Sequence, residues 1–281
     1  MSFPATVAIL GGRGMLGTDL AASCRAAGAE VRIFDLPEFD ITQAAHVRKA
    51  LIDCNAVVNC AAYTNVDGAE SEPEVAQRVN ADAVGQLAAL AGESGAYVLH
   101  ISTDFIFDGR LDRPYAESDI PQPLSVYGAT KLAGEQQFFA GACNGAIVRL
   151  QWTYGTHGNN FVTKLLERAR AQGALKVVDD QIGSPTTTTA VSQALCSLLG
   201  KQPTGLFHYA NSGYVSRFDV AGMIVKVLGL GVTITPCKTH ELNSPAQRPL
   251  NSRFDCSKIA AFLDAPIPTW QESLHAFLEK L

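Results

Sequence analysis

The stretch "ATVAILGGRGMLGTDL", residues 5–20, decides the fold. A short apolar run of strand length passes directly into glycines and then into a helical pattern. Gly11, Gly14 and Gly17 stand at the spacing G-x-x-G-x-x-G, with Gly12 as an extra. Glycines between a strand and a helix permit a tight turn, close approach of a pyrophosphate to the backbone, and close packing of the helix on a sheet. The anion then rests on the helix N-terminus. A plain glycine turn is the bland alternative, and the strand before it and helix after it count against that.

Moving outward, the run "EVRIF" (30–34) ends at Asp35. An acid there can accept from the adenosine ribose hydroxyls and repel a 2'-phosphate, which favours NADH. Arg13 and Arg32 could pair with such a phosphate and favour NADPH, so both cofactors stay open. The alternation continues through "AAHVRKALID", "AVVNC", "PEVAQRVNADAVGQLAALAGESG", "YVLHIS" and "GAIVRL". Strands that read as continuous apolar runs, alternating with helices, predict a parallel sheet covered on both faces. After about residue 150 the pattern loosens into loops, short strands and helices without a clean linker. The expectation is an α/β fold: a doubly wound parallel, Rossmann-type sheet with a smaller, interleaved C-terminal domain. Residues 1–150 would form the dinucleotide-binding domain. Residues 151–281 would be mainly substrate-binding, with some segments returning to the sheet.

The chain has 281 residues and a net charge of -5, with no long basic stripe, which argues against nucleic acid as a partner. Seven cysteines form no C-x-x-C, and a chain of this size needs no stapling, so reduced thiols in the cytoplasm are expected. The N-terminus carries no charged leader, and no apolar stretch approaches the length of a membrane span. The six histidines are scattered, without a metal-binding pattern, and no metal is expected.

A second motif lies in "QPLSVYGATKLAGEQ", residues 122–136. Ser125 suits a helix N-cap, and Tyr127 and Lys131, four apart, then share one face. An adjacent cation can lower a phenol's pKa from near 10, and the expected fourth strand ends with Ser102 and Thr103 at the ligand crevice. Thr103 could hold a carbonyl oxygen beside Tyr127 while the phenol exchanges a proton with it. Gly128 and Gly134 inside this helix suggest that something approaches its backbone closely. An exposed aromatic beside a solvated lysine is the bland reading of the pair.

Together these motifs resemble the extended short-chain dehydrogenase/reductases, and within them the dTDP-4-dehydrorhamnose reductase family. Matching segments run almost the full length, among them "VVNCAAYTNVDGAESEPE", "HISTDFIFDG", "PLSVYGATKLAGEQ", "VVDDQIGSPT" and "RPLNSRFD". The resemblance implies a reductase using NADPH or NADH on the 4-keto group of a dTDP-4-keto-6-deoxy sugar, with Tyr127, Lys131 and Thr103 catalytic. It implies cofactor contacts at Gly14, Met15, Leu16, Asp35, Asp40, Ile41, Ala62, Tyr63 and Thr64, and sugar contacts at Thr103, Asp104 and Trp152. Asn160 and Arg248 are further substrate candidates, the arginine because its fork suits a diphosphate. The run "DGAESEPE" reads as a helix start with Pro73 at the first position. Some members of the family bind magnesium through glutamates at a subunit interface; the matching positions here hold Asp19, Thr189 and a lysine or glutamate near the C-terminus, so a threonine replaces one carboxylate. That departure argues against the metal and leaves a homodimer of that type in doubt. Two rivals remain: a nucleotide-sugar epimerase with bound NAD, and a non-catalytic regulatory subunit on the same shell.

Overall fold

The computed structural model describes residues 3–281; Met1 and Ser2, on which the reading of the N-terminus partly fell, lie outside the described residues. The first half runs β1 (Thr6–Leu10), α1 (Met15–Ala26), β2 (Glu30–Phe34), α2 (Ala44–Leu51) and β3 (Ala56–Asn59). It continues through α3 (Val66–Ala69), α4 (Pro73–Gln77), α5 (Ala83–Ser94), β4 (Tyr97–Thr103), α6 (Val126–Ala140) and β5 (Gly145–Leu150). The second half holds β6 (Thr153–Tyr154), α7 (Phe161–Ala171), β7 (Ala174–Val178), β8 (Ile182–Gly183), β9 (Thr186–Thr187) and α8 (Thr188–Lys201). Then follow β10 (Gly205–Tyr209), β11 (Val215–Ser216), α9 (Arg217–Val227), β12 (Thr233–Cys237), α10 (Ser257–Ala260) and α11 (Trp270–Leu278).

Six strands form one parallel sheet in the order β10-β5-β4-β3-β1-β2. The chain leaves β1 on one side to make β2 and returns on the other to make β3, so the strand order reverses at β1. Ligand crevices of open α/β sheets lie at such a reversal, beyond the carboxyl ends of the strands.

The continuous apolar strands are explained by burial on both faces. In β1, Val7 and Ile9 pack with Leu20 and Cys24 of α1 and with Val191 and Leu195 of α8. The alternate residues, Ala8 and Leu10, pack with Val47 of α2 and with Val84 and Leu87 of α5. A two-residue side-chain period thus feeds two helical layers from one strand. Through α8 and β10 the second half of the chain contributes to the same sheet and its covering layer. A separate apolar cluster, including Leu165, Ile224, Trp270 and Phe277, joins α7, α9 and α11 over the pair β7 and β12.

Local signals agree with these boundaries. The Ser125 hydroxyl accepts from the Gly128 backbone N–H at 3.2 Å and starts α6, and Pro73 opens α4. A single π-helical turn, Arg78–Asp82, joins α4 to α5. Among the described residues no helix is long and apolar enough to cross a membrane, and no three His, Cys, Asp or Glu side chains cluster to hold a metal ion.

Candidate active site

A cavity of about 610 Å³ opens at the switch point, lined from the glycine turn to α9. One wall is made by Gly11, Gly14, Met15, Leu16 and Gly17, with Asp35, Asp40, Ile41, Ala62 and Thr64 beyond them. Gly11 has φ +71°, and a Cβ there would lie 2.7 Å from the Ala61 backbone nitrogen, so the turn demands glycine. Gly14 caps α1 without any side-chain hydrogen bond, and no acid stands in the first turn of that helix. The first N–H groups of α1 are therefore free to take an anion, and the turn fits a dinucleotide pyrophosphate. Asp35 accepts from the backbone N–H groups of Arg13 and Leu36, both at 2.8 Å, which fixes its carboxylate at the cavity wall. The two arginines weighed for a 2'-phosphate are engaged elsewhere, Arg13 with Glu38 at 2.8 Å and Arg32 with Glu30 at 2.7 Å.

The opposite wall carries Thr103, Asp104, Phe105, Tyr127, Lys131 and Trp152. Tyr127 comes from the first turn of α6, and its ring meets Phe105 edge-on at 5.5 Å. Burial pushes its phenol up to about 12; the Thr103 hydroxyl pulls the other way and the Asp104 charge adds to the rise. The expected acidification by Lys131 is not what the site shows. Lys131, 2% exposed, donates to the Ile101 carbonyl at 2.7 Å, and burial pushes its ammonium down to about 8 against the opposing charge of Glu135. Desolvation disfavours both charged forms, so Tyr127 rests as a neutral acid.

Asp104 accepts from Ser252 at 2.5 Å and from Thr103 at 3.1 Å, while its burial raises its pKa. Behind β4, Ser102 donates to Glu135 at 2.5 Å, and Glu135 is forked by Arg149 at 2.6 and 2.9 Å. This buried pair holds the helix face that bears Lys131 against the end of β4. Asn80, in the π-helical turn, clamps the Tyr63 backbone through its N–H at 2.9 Å and its carbonyl at 3.1 Å, and reaches Thr130 at 3.2 Å. The approach foreseen at Gly128 and Gly134 is made by the protein itself. Cβ atoms there would lie 2.1 Å from the Phe105 carbonyl and 2.0 Å from that of Asn80.

Comparison with known proteins agrees with this geometry. Residues 5–281 match the family model described as the RmlD substrate binding domain. A dTDP-4-dehydrorhamnose reductase of Mycolicibacterium smegmatis is 39% identical over 274 residues, 95% of this chain and 83% of that protein. The chain belongs to the dTDP-4-dehydrorhamnose reductase family. Among solved members, the reductase of Clostridium acetobutylicum superposes with a TM-score of 0.93 at 35% identity, covering 98% of this chain and 99% of that one. The Bacillus anthracis reductase, solved in complex with NADP, gives 0.94 at 32% identity and full coverage of both chains. The fold is thus the Rossmann type seen in these reductases.

Three candidates of this family member stand off the cavity wall. The Tyr63 hydroxyl donates to Glu72. Asn160 caps α7, accepting from the Val162 and Thr163 N–H groups, and donates to the Gly155 carbonyl at 2.9 Å. Arg248 pairs with Asp67 at 2.8 Å. Among the lining residues that had not been foreseen are Gln151 and Arg217. For Arg217 the sequence held a signal: it opens α9 directly after its cap Ser216, placing a cation at the positive end of a helix dipole.

Proposed function

We propose that the chain is a reductase that converts the 4-keto group of dTDP-4-dehydro-L-rhamnose to the hydroxyl of dTDP-L-rhamnose, with NADH or NADPH as donor. The names of its relatives supply the substrate; the observation that carries the chemistry is the neutral Tyr127 beside Thr103 on the wall of a cavity whose far end is an uncapped helix start. The bound nicotinamide would supply the hydride. Tyr127, protonated at neutral pH, would give its proton to the keto oxygen, which Thr103 would orient once its hydroxyl proton turns from Asp104 to that oxygen. Lys131 would hold the nicotinamide ribose and steady the phenolate as it forms, since its own proton is retained below about pH 8. The N-terminus of α1 would bind the pyrophosphate, and Asp35 the adenosine ribose. Asp35 and the engagement of Arg13 by Glu38 favour NADH over NADPH. Residues from 151 onward would supply most of the sugar-binding surface. Seven unpaired cysteines suit a reducing cytoplasm.

The test mixes purified protein with the ketosugar and reduced cofactor and follows nicotinamide absorbance. One cofactor oxidised per sugar is expected. Sugar conversion without net cofactor oxidation would instead indicate an epimerase, and no conversion of any nucleotide-linked ketosugar would overturn the reading.

A further inference from the structure

Lys131 and Arg217 are the two cations that line the cavity. Lys131 gives one of its three donors to the Ile101 carbonyl, and in the proposed reduction the rest would serve the nicotinamide ribose and the phenolate. Among the described arginines that are buried or half-buried, Arg32, Arg149, Arg248 and Arg253 each bind an acceptor through a terminal nitrogen, and Arg217 does not. Its backbone N–H and its Nε both donate to Gln181, the latter at 3.1 Å. Its two terminal nitrogens have no hydrogen-bond acceptor and no carboxylate within salt-bridge distance among the described residues. The nearby Asp104 attracts it without a direct contact, and the guanidinium, pushed down by burial to about 10, still stays charged at neutral pH.

The guanidinium is held in place by aromatic faces. It lies 4.0 Å from the Trp152 ring centroid and 5.0 Å from that of Phe161. Stacking of this kind fixes the plane and leaves the edge donors free. Trp152 itself is held at φ +44°, the left-handed region that a tryptophan rarely adopts, and a Cβ on Gly183 would lie 2.7 Å from its ring. The fold accepts local strain and an obligatory glycine to set this ring under the arginine. Next in the chain is Gln151, 1% exposed, whose Oε1 accepts from the Ser184 N–H while its Nε2 has no partner. A buried unpaired donor and an unanswered guanidinium on one wall are an incomplete hydrogen-bonding set that an anionic acceptor would complete.

We propose that Arg217, stacked on Trp152, anchors the diphosphate of the nucleotide-sugar through its two terminal nitrogens, with the Gln151 amide as an auxiliary donor. This rests on the substrate class proposed above. Arg248, the alternative suggested by sequence, has its charge taken by Asp67 and contributes only a longer-range field at Arg217.

The test is calorimetric titration of full-length protein, saturated with oxidised cofactor, with dTDP and with thymidine as probes. The wild type should bind dTDP well and thymidine weakly. Arg217→Gln should weaken dTDP roughly 10- to 100-fold and leave thymidine and cofactor affinity unchanged. Arg217→Lys, which keeps the charge but not the fork, should fall between them and carries the test alone if the glutamine variant does not fold. In turnover, KM for the ketosugar should rise far more than kcat falls. An unchanged dTDP affinity in a variant that still binds cofactor overturns the anchor and leaves the reductase reading standing. Equal losses of dTDP, thymidine and cofactor make the residue structural and also overturn it. A wild type that binds no dTDP sinks the substrate class and the anchor together.

Discussion

Replacing Lys131 with methionine tests whether the site carries a costly charge. Its ammonium sits at about 8 in the fold against an ordinary 10.5. At about 1.4 kcal/mol per pKa unit, holding it charged costs the folded state on the order of 3 kcal/mol at neutral pH. Methionine has nearly the same length, removes that cost, and leaves the Ile101 carbonyl short of one donor, a loss of roughly 1–3 kcal/mol. The variant should therefore be no less stable than the wild type at pH 7, although its activity should collapse.

The pH dependence makes the reasoning sharper. Below pH 8 the lysine is protonated in both states and the gap between variant and wild type is constant. Between 8 and 10.5 the unfolded chain binds more protons at this position than the folded one, so the wild type gains stability relative to the variant as pH rises. The gain reaches about 1.4 kcal/mol by pH 9. Many buried thiols and phenols titrate in the same range, but they are common to both proteins and cancel in the difference. Urea denaturation of the pair at pH 7 and pH 9 reads it. A gap that does not move between those values, or a variant more than 1 kcal/mol less stable at pH 7, an order-of-magnitude margin, would refute the account of Lys131 as a destabilising buried cation.

Tyr127→Phe should lower kcat roughly 100- to 10,000-fold while NADH affinity, read by fluorescence titration, stays unchanged. Gly128→Ala should cost about 1–3 kcal/mol in urea unfolding, because its Cβ would meet the Phe105 carbonyl at 2.1 Å. The wild type should bind NADH more tightly than NADPH, and Glu38→Gln, which removes the carboxylate paired with Arg13 and leaves its bond to the Leu36 carbonyl, should shift that ratio several-fold toward NADPH. Parallel titrations with the two cofactors check it, and an unchanged ratio would remove Glu38 from the selection.

What the sequence made legible was local. The glycine turn, the strand runs, the Ser125 cap and the Tyr127–Lys131 face all depend on neighbours within a turn or two, where spacing determines contact. What it hid was tertiary. Arg248 looked like a phosphate ligand because Asp67, 181 positions away, is not visible as its partner in the sequence. Asn160 carried a plausible ligand position and is used as a helix cap. The acidity expected of Tyr127 took account of the neighbouring cation but not of the desolvation that outweighs it, and desolvation is set by elements far apart in the chain. Arg217 reaches the cavity only because the second half of the chain folds back over the carboxyl ends of the strands, whereas Gln151 stands there directly after β5.

Several features that weaken the fold meet on this one wall. Lys131 is a buried cation without a carboxylate at contact distance, and Gln151 keeps an unpaired amide donor. Trp152 sits at positive φ, and Arg217 opposes the dipole of its own helix. Each carries a local cost that stability alone would not select. A ligand with a carbonyl and a diphosphate would answer the three polar ones, and Trp152 is strained in support of Arg217. A proton acceptor beside Tyr127 would turn the buried ammonium from a cost into a counter-ion for the nascent phenolate, and an anion at Arg217 would complete the donors behind Trp152. Local rules broken together at one place are what a site for binding and chemistry looks like.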